Sequence, residues 1–275
     1  ASAAGDPLFI NPTGGNALSL SPLNLHINTT QSTLIEGSGK LVTIADDVDG
    51  DNRSTNTPVD IGADAGNFIP MGMSIDSTIV TQVTTGSPIG ALNQAVIAVK
   101  VYAKGSVSPL TLTALKLNTA GSTSASNDLL NAKVYYTGPS TTFATTAQYG
   151  TTVTSPNGTF YANGSQVLNA GLNCFWVAYD VKLTATANDF IDARLDSIGL
   201  SGNAPANLLN GDPIGARKLS APLAGNYNVG ASQTYLTITD ALNDLKLLGV
   251  SGAVTFELTD ATYSTNETFP IVLND

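Results

Sequence analysis

Between residues 77 and 200 the chain repeats one pattern. A run of eight to eleven residues rich in Val, Ile, Leu, Thr and Tyr is followed by a turn of Gly, Pro, Asn or Ser. The runs are "STIVTQVTT" (77–85), "QAVIAVKVYA" (94–103), "LTLTALKL" (110–117), "LLNAKVYYT" (129–137), "NCFWVAYDVKL" (173–183) and "FIDARLDSIGL" (190–200). β-Branched and aromatic residues suit a pleated, half-buried surface, and alternation with period two marks a strand. In "LLNAKVYYT", Leu130, Ala132, Val134 and Tyr136 fall on one face, with Asn131, Lys133 and Tyr135 on the other. In "LTLTALKL" the alternation slips, and a bulge near Ala114 returns Leu110, Leu112, Leu115 and Leu117 to one face. Strands of this kind, so closely spaced, predict an all-β chain centred on an antiparallel, immunoglobulin-like β-sandwich over residues 71–220.

The flanks differ in texture. Residues 1–70 are turn-rich, with short apolar pairs such as Leu18/Leu20, Leu23/Leu25 and Leu34/Ile35. Strands this short bury little alone and fit the rungs of a β-solenoid-like segment. Residues 221–275 hold one amphipathic helix near 235–248. There Ile238, Ala241, Leu242, Leu245 and Leu248 recur at helical spacing. Thr237 or Thr239 can cap it and Gly249 can end it. Two strands are expected after it, in "AVTFELTDATYS" (253–264) and "FPIVLND" (269–275). The predicted organisation is therefore 1–70, 71–220 and 221–275.

Charged residues are 12% of the chain, against roughly 25% in ordinary soluble domains. The polar surface must come from Thr, Ser, Asn and Gly, a balance expected of an extracellular or cell-surface β protein. The net charge of −10, with no basic cluster, argues against nucleic acid and anionic membranes as partners and leaves divalent cations compatible. No apolar stretch reaches transmembrane length. Cys174 is the only cysteine, so intrachain disulfides and cysteine-based metal sites are excluded, and its apolar surroundings predict a buried thiol. The opening "ASAAG" lacks a charged-then-apolar signal pattern, as expected after a cleavage site or at a fragment start.

The densest chemistry is "ADDVDGDNRSTNTPVDIGADAG" (45–66). An EF-hand register with Gly50 at position six matches Asp47 and Asp49 but puts Ala45 at position one and Asn56 at position twelve, so that motif fails. A looser calcium site on Asp47, Asp49 and Asp51 stays open. Its alternative is a turn whose aspartates cap backbone amides while Arg53 pairs with a carboxylate. Adjacent turn aspartates do not predict the carboxylate separation of a glycosidase, and no catalytic residue is assigned. His26 is the only histidine, which excludes multi-histidine metal sites. Trp176 and Tyr179, with Tyr135 and Tyr136, fit either a sugar-stacking platform or a sandwich core. "NGT" at 157 and "NGS" at 163 match N-glycosylation sequons and also read as turns. "DST" at 76 and "DSI" at 196 make Ser77 and Ser197 candidates for O-glycosylation of the kind found in Bacteroidetes-type exported proteins.

The segments "NAKVYYTG", "GLNCFWVAYDV" and "DARLDSIGLSG" resemble the N-terminal β-sandwich domain associated with BNR-repeat, sialidase-like secreted proteins of Bacteroidetes type. The resemblance runs from about 75 to 203. Cys174 stands where that family suggests an aromatic residue. "DDVDGDNRSTNTPVDIGADAG" is similar to the end of a parallel β-helix region in large surface proteins, and "PLAGNYNVGASQTYLTITDALNDLKLLGVSGAVTFELTDATYS" to the start of one. The resemblance implies no catalytic motif in this module. It implies a structural or adhesive part of an extracellular surface or filament protein, assembling through its β-rich ends with neighbouring copies or domains. The alternative is a non-catalytic carbohydrate-binding appendage of a secreted hydrolase, with surface glycans as partners and no cofactor beyond calcium.

Overall fold

The computed structural model describes residues 7–12, 23–37, 39, 43–53, 55 and 59–271. The regular structure of the described residues is predominantly strand, with two short α-helices, Ala125–Asp128 and Ile238–Leu248. Ten strands carry the architecture: β1 (Ser74–Gln82), β2 (Gln94–Lys104), β3 (Thr111–Asn118), β4 (Leu129–Gly138), β5 (Gln148–Thr154), β6 (Thr159–Val167), β7 (Gly171–Val181), β8 (Arg194–Leu200), β9 (Leu223–Val229) and β10 (Val250–Leu258). The helix Ile238–Leu248 is α1.

Two sheets form the centre. The long one has the order β5-β4-β7-β2-β1, antiparallel throughout, with Leu208–Asn210 added parallel to β1. The short one has the order β6-β3-β8, also antiparallel. Inward side chains of both sheets make one core cluster: Val99 and Val101 from β2, Phe175, Val177 and Tyr179 from β7, Leu112, Leu115 and Leu117 from β3, and Leu195 and Ile198 from β8. The alternation that predicts strands therefore also selects what is buried, at roughly 25 cal/mol per Å² of apolar surface.

The expected bulge in β3 is present. Ala114 pairs with Gly199 and Leu112 with Leu200, a register shift that leaves Thr113 over. Leu112, Leu115 and Leu117 are all fully buried, and Leu110 packs against them. In β4 the expected face is corrected at one end. Asn131 pairs with Asp180 but Leu129 pairs with Val181, so a second shift turns Leu129 inward and leaves Leu130 44% exposed. Strands β5 and β6 were not expected, because Thr, Gln, Asn and Ser dilute their alternation. Their signal is Tyr149 on β5 and Phe160 and Ala162 on β6, all buried. Gly164, expected in a turn, lies inside β6. A Cβ there would come within 2.7 Å of the Tyr149 ring, so the glycine makes room for that ring between the sheets.

The C-terminal part is a β9-α1-β10 unit with the two strands parallel. Thr237 Oγ1 accepts the Asp240 N–H at 3.0 Å, and Gly249 ends the helix at φ 66°. Thr239 instead binds Glu267, through its N–H and its hydroxyl. Val229, Tyr235 and Ala241 are the buried centre of this unit. The two expected strands become one, Val250–Leu258. Residues 259–271 carry no strand, and 272–275 lie outside the described residues.

In the N-terminal part Phe9–Asn11 pairs antiparallel with Asn24–Ile27, and Ser32–Thr33 pairs parallel with Ile69–Pro70. Ile27, Ile35 and Phe68 form a small core. Leu23 and Leu25 are about half exposed, at 52% and 50%, while Leu18 and Leu20 lie outside the described residues.

Candidate functional site

Two places gather functional groups. The first is the aspartate-rich stretch. Asp47 Oδ1 accepts the N–H groups of Asp49 and Asp51, both at 2.8 Å, and its Oδ2 accepts Ala65 N–H at 3.0 Å. The Ala65 bond leads the effects that hold Asp47 below the usual carboxylate range. Asp60, 4% exposed, accepts Gly37 and Gly66 N–H groups, and Asp64 Oδ2 accepts Ile27 N–H at 2.6 Å. Glu36 Oε2 takes Phe68 N–H, though burial and the nearby Asp60 push its carboxyl up. These acids therefore fasten segments that are far apart in sequence, the amide-capping role weighed from the sequence. The expected Arg53–carboxylate pair is corrected. Among the described residues Arg53 donates instead to the carbonyls of Asp46, Gly62 and Ala63, tying the aspartate loop to the chain at 62–63.

Carboxylate oxygens of Asp47, Asp49 and Asp64 lie within 4.8 Å of one another, an arrangement able to coordinate a divalent cation. Asp51 of the predicted trio is outside this group; Asp64, brought in from thirteen residues later in the chain, stands in its place. Spacing along the sequence could not find Asp64, because only folding of "DIGAD" onto the loop brings it there. His26 Nε2 lies 2.8 Å from Asp49 Oδ2. His26, Asp49 and Asp64 edge an otherwise apolar cleft of about 390 Å³ lined by Leu23, Leu25, Val48 and Ile61.

The second place is the outward face of the long sheet. Trp176 on β7 pairs with Tyr135 on β4 and with Ala98 on β2, and Ala98 pairs with Thr81 on β1. One row thus runs from two large rings to two small side chains. Phe143, in the β4–β5 connection, meets both rings edge-on, with centroids 5.6 Å from Trp176 and 5.9 Å from Tyr135. The indole Nε1 of Trp176 is buried and has no hydrogen-bond partner among the described residues. Beside this row, Tyr135 donates its hydroxyl to Asn93 Oδ1 at 2.7 Å, and Lys133 Nζ bridges Asn93 Oδ1 and Asp180.

Tyr179 is not on this face. It is fully buried, its hydroxyl donates to Asp192 O at 3.1 Å, and burial pushes that hydroxyl far up. Trp176 and Tyr179, three residues apart on β7, fall on opposite faces, and the sequence disguises this because Cys174, Trp176 and Ala178 are as apolar as Phe175, Val177 and Tyr179. Tyr136 also faces the core, 4.8 Å from Phe175, with its hydroxyl on Asn173. Cys174 is fully buried, and burial pushes its thiol up. Ser77 is half-buried on β1 and Ser197 is exposed on β8. Phe143 has no sequence signal: "PSTTFATTA" reads as a polar loop.

No helix among the described residues is long and apolar enough to cross a membrane. No protein-family model and no curated protein matches the chain. Among solved structures it is similar to one titled "Hadza microbial sialidase Hz136", at 11% sequence identity and a TM-score of 0.40. That similarity covers 51% of this chain and 31% of the other.

Proposed function

We propose that this chain is a non-catalytic interaction module of an extracellular protein and that its ligand is carbohydrate. The observation that carries the reading is Trp176. It stands half-buried on the outer face of a long sheet, next to Tyr135 and a Lys-Asn-Asp cluster, with an indole N–H that no described residue accepts. Sugars are bound by this chemistry: a ring face meets their C–H groups and a fixed donor meets an oxygen. Asp47, Asp60 and Asp64 each accept backbone amides, a structural use of carboxylates that supports a non-catalytic role. Titration against a glycan panel is expected to find saturable binding. Trp176→Ala is expected to weaken it roughly tenfold, the effect of losing about 1.4 kcal/mol of ring contact. Wild-type affinity in a folded Trp176→Ala protein sinks the reading.

The shared core of the two central sheets supports an immunoglobulin-like sandwich over 71–220, with β-solenoid-like ends at 1–70 and 221–275. A second reading, a structural module assembling through those ends, is favoured by one observation. The β9/β10 pair is a two-stranded parallel sheet whose rim exposes Leu236, Val250 and Leu258 by more than half. Parallel sheets are ordinarily covered on both faces, and a neighbouring copy would cover this one.

Calcium is the cation proposed for Asp47, Asp49 and Asp64. Calcium at a hundredfold excess over its dissociation constant is expected to stabilise the fastened 23–66 segment by about 2.7 kcal/mol. Protease protection of that segment checks it. The protection should disappear in Asp64→Asn, and no calcium dependence in the wild type refutes the assignment.

A further inference from the structure

We propose that Phe143 is a displaceable gate over the Trp176 face, occupying in this state the place a sugar ring takes when bound; this rests on the carbohydrate reading above. An unpaired buried donor is rare in folded proteins and destabilises them. Among the described residues the Trp176 indole N–H is such a donor, and the Phe143 ring packs edge-on against the indole. A hydrocarbon ring therefore borders an indole whose N–H lacks an acceptor among the described residues. A pyranose supplies both parts of what the site lacks, a C–H face for the indole and hydroxyl or ring oxygens for its N–H.

The loop that carries Phe143 is built to leave. Its hydrogen bonds are internal or at its ends: Ser140 N–H to Thr137 O, Thr137 Oγ1 to Ser140 O at 2.7 Å, Thr142 N–H to Ser140 Oγ, and Tyr136 N–H to Ala147 O. Thr141, Thr142, Thr145 and Thr146 around Phe143 are exposed. Gly138 opens the loop at φ 61°, with free space where a Cβ would be, so the chain can turn there. Two edge-on ring contacts hold the gate, and a sugar stacked on the indole replaces them with contacts of the same kind. Tyr135 stays fixed by its bond to Asn93, which keeps one wall of the opened site in place.

Trp176 is the only tryptophan, so indole emission reports this site alone. In Phe143→Ala without any sugar, the emission should shift to longer wavelength and acrylamide quenching should rise severalfold over wild type. Methyl β-galactoside, methyl α-mannoside and cellohexaose then serve as probes beside a glycan array. Binding by Phe143→Ala about tenfold tighter than wild type, with Phe143→Leu between, is the result expected of a gate. Unchanged quenching, or equal affinity in wild type and Phe143→Ala, overturns the gate while leaving the carbohydrate reading intact. Greater quenching with no sugar bound by either protein overturns both. A melting curve for each variant shows that the body of the fold is retained.

Discussion

Replacing Arg217 with Met is expected to cost about 3–5 kcal/mol of stability, read as a lower urea midpoint at unchanged slope. Arg217 lies in the short strand Arg217–Ser220 and is 6% exposed. Its guanidinium donates to three backbone carbonyls, Thr85, Ala95 and Gly86, each at 2.7 Å, and to Gln94 Oε1 at 3.1 Å. Thr85 and Gly86 sit in the connection between β1 and β2, where no strand partner takes their carbonyls. Burial pushes the guanidinium down to about 10, so it keeps its charge at neutral pH. Met matches the length of the side chain but leaves three acceptors without a donor, and bonds to a charged donor are worth about 1.5–3 kcal/mol each. Arg217→Lys should recover only part of the loss, because one ammonium cannot replace a planar fork aimed in three directions. A loss below about 1 kcal/mol in Arg217→Met would show that water replaces the guanidinium freely.

How much of this was legible follows from where each signal lives. Strands such as β2 and β7 announce themselves because side chains on one face repeat every second residue and are all apolar. The bulge in β3 was legible for the same reason: Leu112 and Leu115 can share a face only if one residue is left over. Leu129 and Leu130 were not separable, because two adjacent leucines fit either register and the partner strand decides between them. Strands β5 and β6, which lie in different sheets, are hidden in the sequence because their placement rests on one ring, Tyr149, and one absent Cβ, Gly164, which face each other only after folding. The candidate sites divide likewise. Trp176 is conspicuous by its type, and Asp47 and Asp49 by their density. Asp64 and Phe143 join them through the tertiary fold alone. Arg217, one of two adjacent cations in "GARKLS", gives no sign in sequence that it is the buried one.

The Asp180→Ala substitution should be nearly as damaging as Arg217→Met, and its cost should depend on pH. Asp180 is 2% exposed on β7. Its carboxylate meets Lys133 Nζ at 2.7 Å, Asn131 Nδ2 at 2.8 Å and Asn93 N–H at 2.9 Å. Burial works to push the carboxyl up, but Lys133, Asn131 and Asn93 together outweigh it and hold the group below the ordinary range. A carboxyl lowered by folding stabilises the folded state above its unfolded value, about 3.9 for Asp, and that contribution disappears as pH falls through the lower folded value. At neutral pH the alanine variant should lose about 3–5 kcal/mol, because an ammonium that is largely buried is left without its counterion. The gap to wild type should narrow as the medium is acidified below about pH 4, where the wild-type carboxylate itself takes up protons. Adding Lys133→Met to Asp180→Ala tests the cause. If the stranded charge is the main cost, the double variant is more stable than Asp180→Ala alone; if it is not, the loss comes from the orphaned amides of Asn93 and Asn131. The same pair bears on the sugar site, since Lys133 and Tyr135 share Asn93 Oδ1 as acceptor. Removing Asp180 should therefore loosen the wall beside Trp176 and weaken binding even where the variant remains folded.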